Sequence, residues 1–479
     1  MAVASPARTT ALHLLGAQRR RGARARDLMR GAREMETLGR KGRALATRLV
    51  LGVNVASGEL DRRIDSFVSR PGSLEPRVRD ALRLASFELL YLDTPRQVAV
   101  SQGVELVRGV QPRAARMANA VLRRVAECRP EVDEAREATD AVAAGARMSV
   151  SVGELVVASG YPEWLVERLV AAVGMARAAG MCACALEPAP IYAAAGKVGV
   201  EGVEGLLDKA GLDPAATELP GCWRLGAPAG LSRSGLLGTC DVVAADMAAQ
   251  MCCRAAAGAG RVLEVGQGRG TKSLLLASLA SQLGEGTCVV GCELVASKAR
   301  LSAARMESAG LSDVVSCVEF DGTRLADEDE LPEALRGQFD SVLVDAPCSG
   351  TGTMRRHPET AWALEQAIVD PENVESLPSL QLRLLRAAAS RVAVGGSLVY
   401  ATCSVLPEEN SCVVERFLAS KEGRGFVRGD ILAAPAVAAL DEGSRAPFER
   451  NLNERGEFQS TPVRDAFDGH FFARLIRES

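Results

Sequence analysis

Through the first quarter of the chain, apolar residues return every three to four positions. In "ALRLASFELLYL", Leu82, Leu84, Phe87, Leu89 and Leu90 fall near one stripe of a 3.6-residue period, and in "RMANAVLRRV" Met117, Val121, Leu122 and Val125 do the same. Pro71, Pro95 and Pro112 stand between such segments, where a residue without a backbone N–H ends or opens a helix. The pattern predicts a helical bundle over residues 1–130. The polar, Ala/Gly-rich stretch 131–153 predicts a linker or a loose helix. Residues 154–235 mix helical patterns ("EWLVERLVAAV") with short strand-like runs and the turns "LPG" and "GAPAG", which predicts a small α/β module. From 236 to 479 the pattern becomes strand, glycine turn, helix, repeated, the signature of a doubly wound parallel sheet. The fold class expected is therefore multidomain: an all-α bundle, a small α/β module and a C-terminal α/β Rossmann-like domain. A chain of 479 residues is too long for one core in any case.

Several of the predicted strands end in polar corners. "RVLEVGQGRGTKSLLLASLA" gives a strand, then Gly266, Gly268 and Gly270, then a helix. Its spacing is GxGxG, and Thr271 stands where a dinucleotide-binding GxGxxG loop ends in glycine. Glu264, just before the loop, would repel a pyrophosphate and would help hold the cationic amino acid end of S-adenosylmethionine. The next strand, "TCVVGCE", ends in Glu293, 23 residues past Gly270, where such folds place an acid on ribose hydroxyls. The one after, in "VVSCVEFDGTRL", leads to Asp321, whose carboxylate can accept from an adenine amino group. The fourth strand, "FDSVLVD", ends in Asp345 and is followed by Cys348, and the fifth, "GGSLVYATC", ends in Cys403. In the doubly wound order the fourth and fifth strands lie side by side, and ligands bind beyond their carboxyl ends. Both thiols are thus expected in one crevice.

A thiol beside a methyl donor suits chemistry at carbon-5 of cytosine, which is a poor nucleophile. Addition of a thiolate to carbon-6 makes the ring an enamine, and carbon-5 can then attack a methyl group. The carbon-5 proton must afterwards leave and the thiol be expelled, which gives a second residue work to do. Asp345 can hydrogen-bond the polar edge of the base.

Composition narrows the setting. Apolar residues make up 47% and charged residues 24%, as in ordinary globular chains, and no apolar run reaches the roughly eighteen residues of a membrane helix. Aromatics are only 4%, so the core rests on Ala, Leu and Val. Thirteen scattered cysteines, no CxxC pair and three histidines argue for free thiols in a reducing cytoplasm and against a structural zinc site. The start, with Arg19, Arg20 and Arg21, is expected to be a basic amphipathic helix, since no apolar core with a cleavage site follows. The net charge of −3 hides a split: residues 1–150 carry 27 Lys and Arg against 17 Asp and Glu, leaving 30 against 43 in the remainder. A basic front on an acidic body suits a polyanionic partner.

"DAPCSGTGTMRRHPE" and "YATCSVLPEEN" resemble the two signature motifs of the Sun-type RNA cytosine carbon-5 methyltransferases, and "DGHFFARLIR" resembles their closing strand. The front, through "PRQVAVSQGVELVR" and "ARMANAVLRRV" with Asn119 in the motif position, resembles the NusB-like RNA-binding bundle of the family's 16S ribosomal RNA branch. "YPEWLVERLV" is similar to the start of the small module before the catalytic domain. The resemblance covers nearly the whole chain. It implies a NusB-like domain (1–130), a linker (131–153), a small α/β module (154–235) and a class I methyltransferase domain (236–479). By motif, Cys403 would be the nucleophile, Cys348 would assist product release and Asp345 would orient the cytosine. Gly266, Gln267, Gly268, Arg269, Gly270, Thr271 and Lys272, with Glu293, Asp321 and Asp345, would bind S-adenosylmethionine, and no metal is implied. Arg355, Arg356 and His357 would contact phosphates, which position RNA without reading its sequence. The implied activity is methylation of 16S ribosomal RNA, free or in an early small-subunit particle, by a cytoplasmic monomer. The base must be unstacked to reach a thiol.

One departure stands out. The family usually has Ala-Pro-Gly-Gly-Lys in the loop where this chain has Gly268, Arg269, Gly270, Thr271 and Lys272, and Asp where it has Glu264. That loop motivates a rival, a non-catalytic RNA-binding or ribosome-assembly factor with a lapsed methyltransferase domain. A second rival is a DNA-type cytosine methyltransferase, which uses a Pro-Cys thiol like Cys348 as its nucleophile.

Overall fold

Burial follows the apolar periodicity of the front. In the computed structural model, which describes residues 4–197, 200–284 and 286–479, Leu82, Leu84, Phe87, Leu89 and Leu90 are all buried along the helix Pro76–Tyr91. In the helix Ala115–Val125 the buried stripe is Ala115, Ala118, Val121, Leu122 and Val125. Met117, expected in that stripe, is only half-buried, because alanines take the close-packed positions. The breaks fall where the prolines require. Pro71 and Pro112 each open a short 3₁₀ turn, and Pro95 precedes the helix Arg96–Val110.

The chain forms two units, Met1–Pro188 with Thr353–Glu365, and Ala189–Gly352 with Gln366–Ser479. The first is helical. Its basic excess is partly neutralised internally. Arg8 donates to both carboxylate oxygens of buried Glu88, Arg63 bridges Glu59 and Glu131, and Arg79 and Arg83 share Asp61. Arg20, Arg21, Arg24, Arg33, Arg40 and Lys41 stay exposed.

In the middle of the chain the structure takes the second of the two alternatives, linker or helix, and moves one boundary. The stretch 131–153 is mostly the helix Arg129–Ala143, which buries Val132, Ala135, Thr139 and Val142 at helical spacing. Its Ala-rich composition hid a stripe of small residues. The helices Val152–Ser159, Glu163–Val173 and Met175–Cys184 belong to the first unit, so the small β-module begins near residue 189. That module is a four-stranded antiparallel sheet of β1 (Tyr192–Ala195), β2 (Pro214–Ala216), β3 (Cys222–Leu225) and β4 (Val242–Ala244), in the order β2-β3-β1-β4.

The second sheet of this unit holds β5 (Arg261–Val265), β6 (Cys288–Glu293), β7 (Val315–Glu319), β8 (Phe339–Asp345), β9 (Val392–Thr402), β10 (Phe426–Arg428), β11 (Phe458–Gln459) and β12 (Phe471–Arg477). The order is β10-β12-β9-β8-β5-β6-β7, with β11 on β12. Strands β5 to β9 run parallel to their neighbours, and β12 closes antiparallel on β9. Both faces are covered. On β8 and β9, Leu343 and Val399 join one core, while Val342, Val344, Leu398 and Tyr400 join the other, which is why these strands read as unbroken apolar runs. From β5 the chain turns one way to β6 and the other to β8, so the crevice beyond β5 and β8 is a topological switch point. Register completes the placement: Val265 pairs with Val344, and Asp345 with Ala401. The corners after β5, β8 and β9 are therefore adjacent.

Candidate active site

The glycine corner is built by backbone. Gly266, Gly268 and Gly270 have φ of 88°, 59° and 73°, the left-handed region that glycine enters without strain. A Cβ on Gly266 would lie 2.3 Å from the Asp345 carbonyl oxygen, so the close approach of the β5 and β8 corners also demands glycine there. The N–H groups of Gly266 and Gln267 donate to the Cys292 carbonyl at 2.9 and 3.1 Å. Glu293, at the end of β6, accepts from Gly268 N at 2.7 Å and Val295 N at 2.9 Å, tying the loop to the strand. Asp321 caps the turn Gly322–Arg324, accepting from the N–H and hydroxyl of Thr323 at 2.9 and 2.8 Å.

Beneath the loop lies a buried polar floor. Glu264 is fully buried and accepts the Ser273 hydroxyl, while its Oε1 has no hydrogen-bond partner among the described residues. Burial pushes its pKa up to about 8, against the pull of the Ser273 hydrogen bond. Gln267 donates to Ser273 Oγ at 2.9 Å and Cys317 Sγ at 3.1 Å, and its Oε1 is likewise unsatisfied. Arg269 is exposed, and Thr271 accepts from Arg305 at 2.8 Å. Gly266 and Gly270 with no room for a Cβ, a carboxylate at the end of β6, an ionisable acid near the end of β5 and orphaned acceptors fit a cationic adenosyl ligand such as S-adenosylmethionine.

Lys272, at the start of the next helix, reaches Asp345 Oδ2 at 2.6 Å. Burial opposes its charge, but the Asp345 carboxylate outweighs that and raises its pKa. The lysine is thus spent on Asp345, which it orients at the mouth of the crevice.

Beyond β8 and β9 the two thiols meet. Cys348 Sγ and Cys403 Sγ are 3.1 Å apart, and Cys403 N donates to Cys348 Sγ at 3.3 Å. Gly352 N in turn donates to the Cys403 carbonyl at 2.9 Å, so the loops after the strands are laced together. The hydrogen bond between the sulfurs separates their titrations. It lowers the Cys403 pKa, with Lys272 assisting, against burial and the charges of Asp345 and Glu409. The same bond, with burial, raises that of Cys348. The bond thus favours ionisation at Cys403 over ionisation at Cys348. Neither is bonded to another cysteine, and all thirteen cysteines are free thiols.

The three residues expected to touch phosphate are engaged within the first unit. They fall in Thr353–Glu365, packed with the first unit. Arg355 is buried and donates to the Pro188 carbonyl at 3.0 Å, so its guanidinium serves packing and is not presented to a phosphate. His357 has its pKa pushed down to about 4 by burial and by Arg24, Arg26 and Arg356, and is neutral at physiological pH. Arg356 is half-buried, and its carbonyl accepts from Arg26 at 2.6 Å. Trp362 in the same segment donates to the Val55 carbonyl at 2.6 Å. A run of Arg-Arg-His looked like a cationic patch because sequence shows charge and hides burial.

Sequence reasoning passed over Ser273, Arg305, Gln381 and Glu409. Glu409 lies within the quoted "PEEN", six residues past Cys403, yet nothing in its spacing separates it from a surface acid. Among the described residues no group of three His, Cys, Asp or Glu side chains could hold a metal, and no helix is long and apolar enough to cross a membrane.

Comparison with known proteins yields the following. Residues 255–476 match the family model described as 16S rRNA methyltransferase RsmB/F, and residues 5–127 match that of the NusB family. Ribosomal RNA small subunit methyltransferase B of Thermus thermophilus is 32% identical over 400 residues, covering 83% of this chain and 84% of that protein. The protein of the same name from Sodalis glossinidius is 26% identical over 453 residues, covering 92% and 91%. Among solved structures, one described as PH0851 superposes with a TM-score of 0.73 at 20% identity over the full length of both chains. NSun6 from Pyrococcus horikoshii, solved with SFG, superposes with a TM-score of 0.53 at 16% identity, covering 67% of this chain and 99% of that one.

Proposed function

The chain belongs to the 16S rRNA methyltransferase RsmB/F family, with a NusB-family front, and on that premise we propose that it methylates carbon-5 of a cytosine in 16S ribosomal RNA through a covalent Cys403 adduct. The family's methyl donor is S-adenosylmethionine. Gly266–Lys272, Glu293, Asp321 and Glu264 would hold it, and it would supply an electrophilic methyl group.

The chain's own residues do the rest. The Cys403 thiolate adds to carbon-6 of the flipped cytosine, forming the sulfur–carbon bond and moving the ring electrons toward carbon-5. Asp345, held by Lys272, receives the polar edge of the base and favours its protonated form, which accepts those electrons more readily. Once carbon-5 is methylated its proton leaves to solvent water. The electrons of that C–H bond then restore the ring double bond as the Cys403–carbon-6 bond breaks. Cys348, 3.1 Å away and protonated, meets the departing sulfur with a hydrogen bond and so assists release.

The exposed cations Arg20, Arg21, Arg24, Arg33, Arg40 and Lys41 supply the RNA-facing charge of the front. The observation that carries the reading is the contact between two sulfurs at the ends of adjacent parallel strands. The DNA-type rival needs only Cys348 and leaves Cys403, the more easily ionised thiol, without a task. The test is to incubate purified protein with S-adenosylmethionine and 16S ribosomal RNA and map the product by bisulfite sequencing. One protected cytosine is expected. Methylation on another atom, or none, overturns the proposal.

A further inference from the structure

Neither sulfur holds its own position; the residues on either side of each one do. Pro347, before Cys348, gives its carbonyl to Gln381 Nε2 at 2.9 Å. Ser349, after Cys348, donates its N–H at 2.8 Å to Glu409 Oε1 and its hydroxyl at 2.5 Å to Glu409 Oε2. Before Cys403, the Thr402 hydroxyl donates to Asn410 Oδ1 at 2.6 Å. After it, the Ser404 hydroxyl donates to Glu409 Oε2 at 2.5 Å, and the Ser404 carbonyl accepts from Asn410 Nδ2 at 2.9 Å. Gln381 Nε2 adds a fourth donor to Glu409 at 3.0 Å. Glu409 is fully buried, and these four donors are all uncharged.

A buried carboxylate met by neutral groups alone is costly to keep. An apolar residue would fill the space, but it could not draw the hydroxyl after one thiol and the hydroxyl after the other onto a single oxygen. From this geometry we infer that Glu409 is a positioning residue for the methyl transfer proposed above, clamping the Cys348 and Cys403 loops so that the two sulfurs stay in contact. The inference rests on that reading of the reaction. Glu409 touches neither sulfur and acts through Ser349 and Ser404.

Charge and position pull in opposite directions here, and that makes the role testable. The groups that face Cys403 electrostatically are Cys348, Asp345, Lys272 and Glu409, and the negative charge of Glu409 opposes thiolate formation at both sulfurs. Removing that charge by Glu409→Gln favours ionisation of Cys403, while loosening the clamp weakens the sulfur–sulfur hydrogen bond, the largest influence lowering the Cys403 pKa, and so opposes it.

The experiment compares full-length wild type, Glu409→Gln and Ser404→Ala. It measures kcat, KM for S-adenosylmethionine and the pH dependence of iodoacetamide alkylation at the Cys403 peptide. For Glu409→Gln, kcat is expected to fall about thirtyfold, as for loss of a charge-assisted hydrogen bond, with KM changed less than about twofold. The alkylation midpoint is expected to move to higher pH, because loss of the sulfur–sulfur hydrogen bond outweighs removal of the Glu409 charge. Ser404→Ala, which removes one strand of the clamp and keeps the carboxylate, is expected to lose about three- to tenfold in kcat and serves if Glu409→Gln does not fold. An unchanged kcat in both variants overturns the role. A midpoint moving to lower pH in Glu409→Gln also overturns it, since Glu409 would then act on Cys403 through its charge and not through the sulfur–sulfur contact. If wild type methylates an atom other than cytosine carbon-5, the reaction itself is wrong and the positioning role falls with it. Cys403-dependent methylation with an indifferent Glu409 overturns the positioning role alone.

Discussion

Two buried glutamates stand under the two halves of the site, and they differ in how well they are satisfied. Glu409, under the thiol corner, takes four hydrogen bonds. Glu264, under the glycine corner, takes one from Ser273 and leaves an oxygen orphaned, and burial lifts its pKa to about 8. A carboxylate whose partners are all internal is framework. Glu264 instead keeps an acceptor that nothing among the described residues satisfies. The thiol half is thus finished by folding, whereas the glycine half is left unfinished, with Glu264 Oε1 and Gln267 Oε1 unpartnered among the described residues.

The largest effects belong to the finished half. Cys403→Ala is expected to lose on the order of 10⁴-fold in methylation rate or more, as when a covalent nucleophile is removed. Cys348→Ala is expected to keep the first bond-forming step and stall afterwards, which denaturing gels would show as protein held on RNA. A variant pattern in which Cys403→Ala stays active and Cys348→Ala does not would transfer the nucleophile to Cys348.

The unfinished half gives the next effect, and its sign follows from the raised carboxyl. Without ligand, the folded Glu264 keeps its proton well above the pH at which the unfolded residue, with a pKa of about 4.3, has released it. Its contribution to stability is complete below that lower value and is lost as pH rises through about 8. Melting curves of wild type minus Glu264→Gln should therefore fall with pH over that window and then level. Binding of S-adenosylmethionine should run the other way and tighten toward pH 8 as the carboxylate ionises. Glu264→Gln is expected to weaken binding about 10- to 100-fold by calorimetry and to flatten its pH dependence. Equal affinity in both proteins would break the contrast between the two glutamates.

Further out, replacing Arg20 and Arg21 by Gln should weaken RNA binding and lower the slope of log affinity against log salt by about 1 to 2. A slope that does not move would place the RNA on another face. The smallest effect is expected at Arg269, the loop residue that departs most from the family pattern. Its side chain is exposed, so Arg269→Ala should change cofactor affinity by less than about threefold.

What the chain announced in advance was its periodicity and its corners. Alternation of glycine turns with apolar runs pointed to the parallel sheet, and the rule that ligands gather beyond strand ends brought Cys348 and Cys403 together before any coordinates. Three kinds of information were out of reach. Alanine-rich helices such as Arg129–Ala143 bury surfaces too small to stand out from linker composition. Burial is invisible in a charge run, so Arg355 and His357 looked like phosphate ligands. Partners distant in sequence, such as Glu409 with Ser349 or Lys272 with Asp345, carry no spacing signal, because the sheet order alone decides which loops meet.

The central claim is a sulfur–carbon bond between Cys403 and cytosine. RNA carrying 5-fluorocytosine at the target holds fluorine where the proton must leave, so the adduct cannot resolve. After incubation with S-adenosylmethionine and digestion, mass spectrometry of the cross-linked peptide should place the nucleotide on the fragment containing Cys403. A nucleotide on the Cys348 fragment, or no cross-link from an enzyme that methylates the normal RNA, would contradict it.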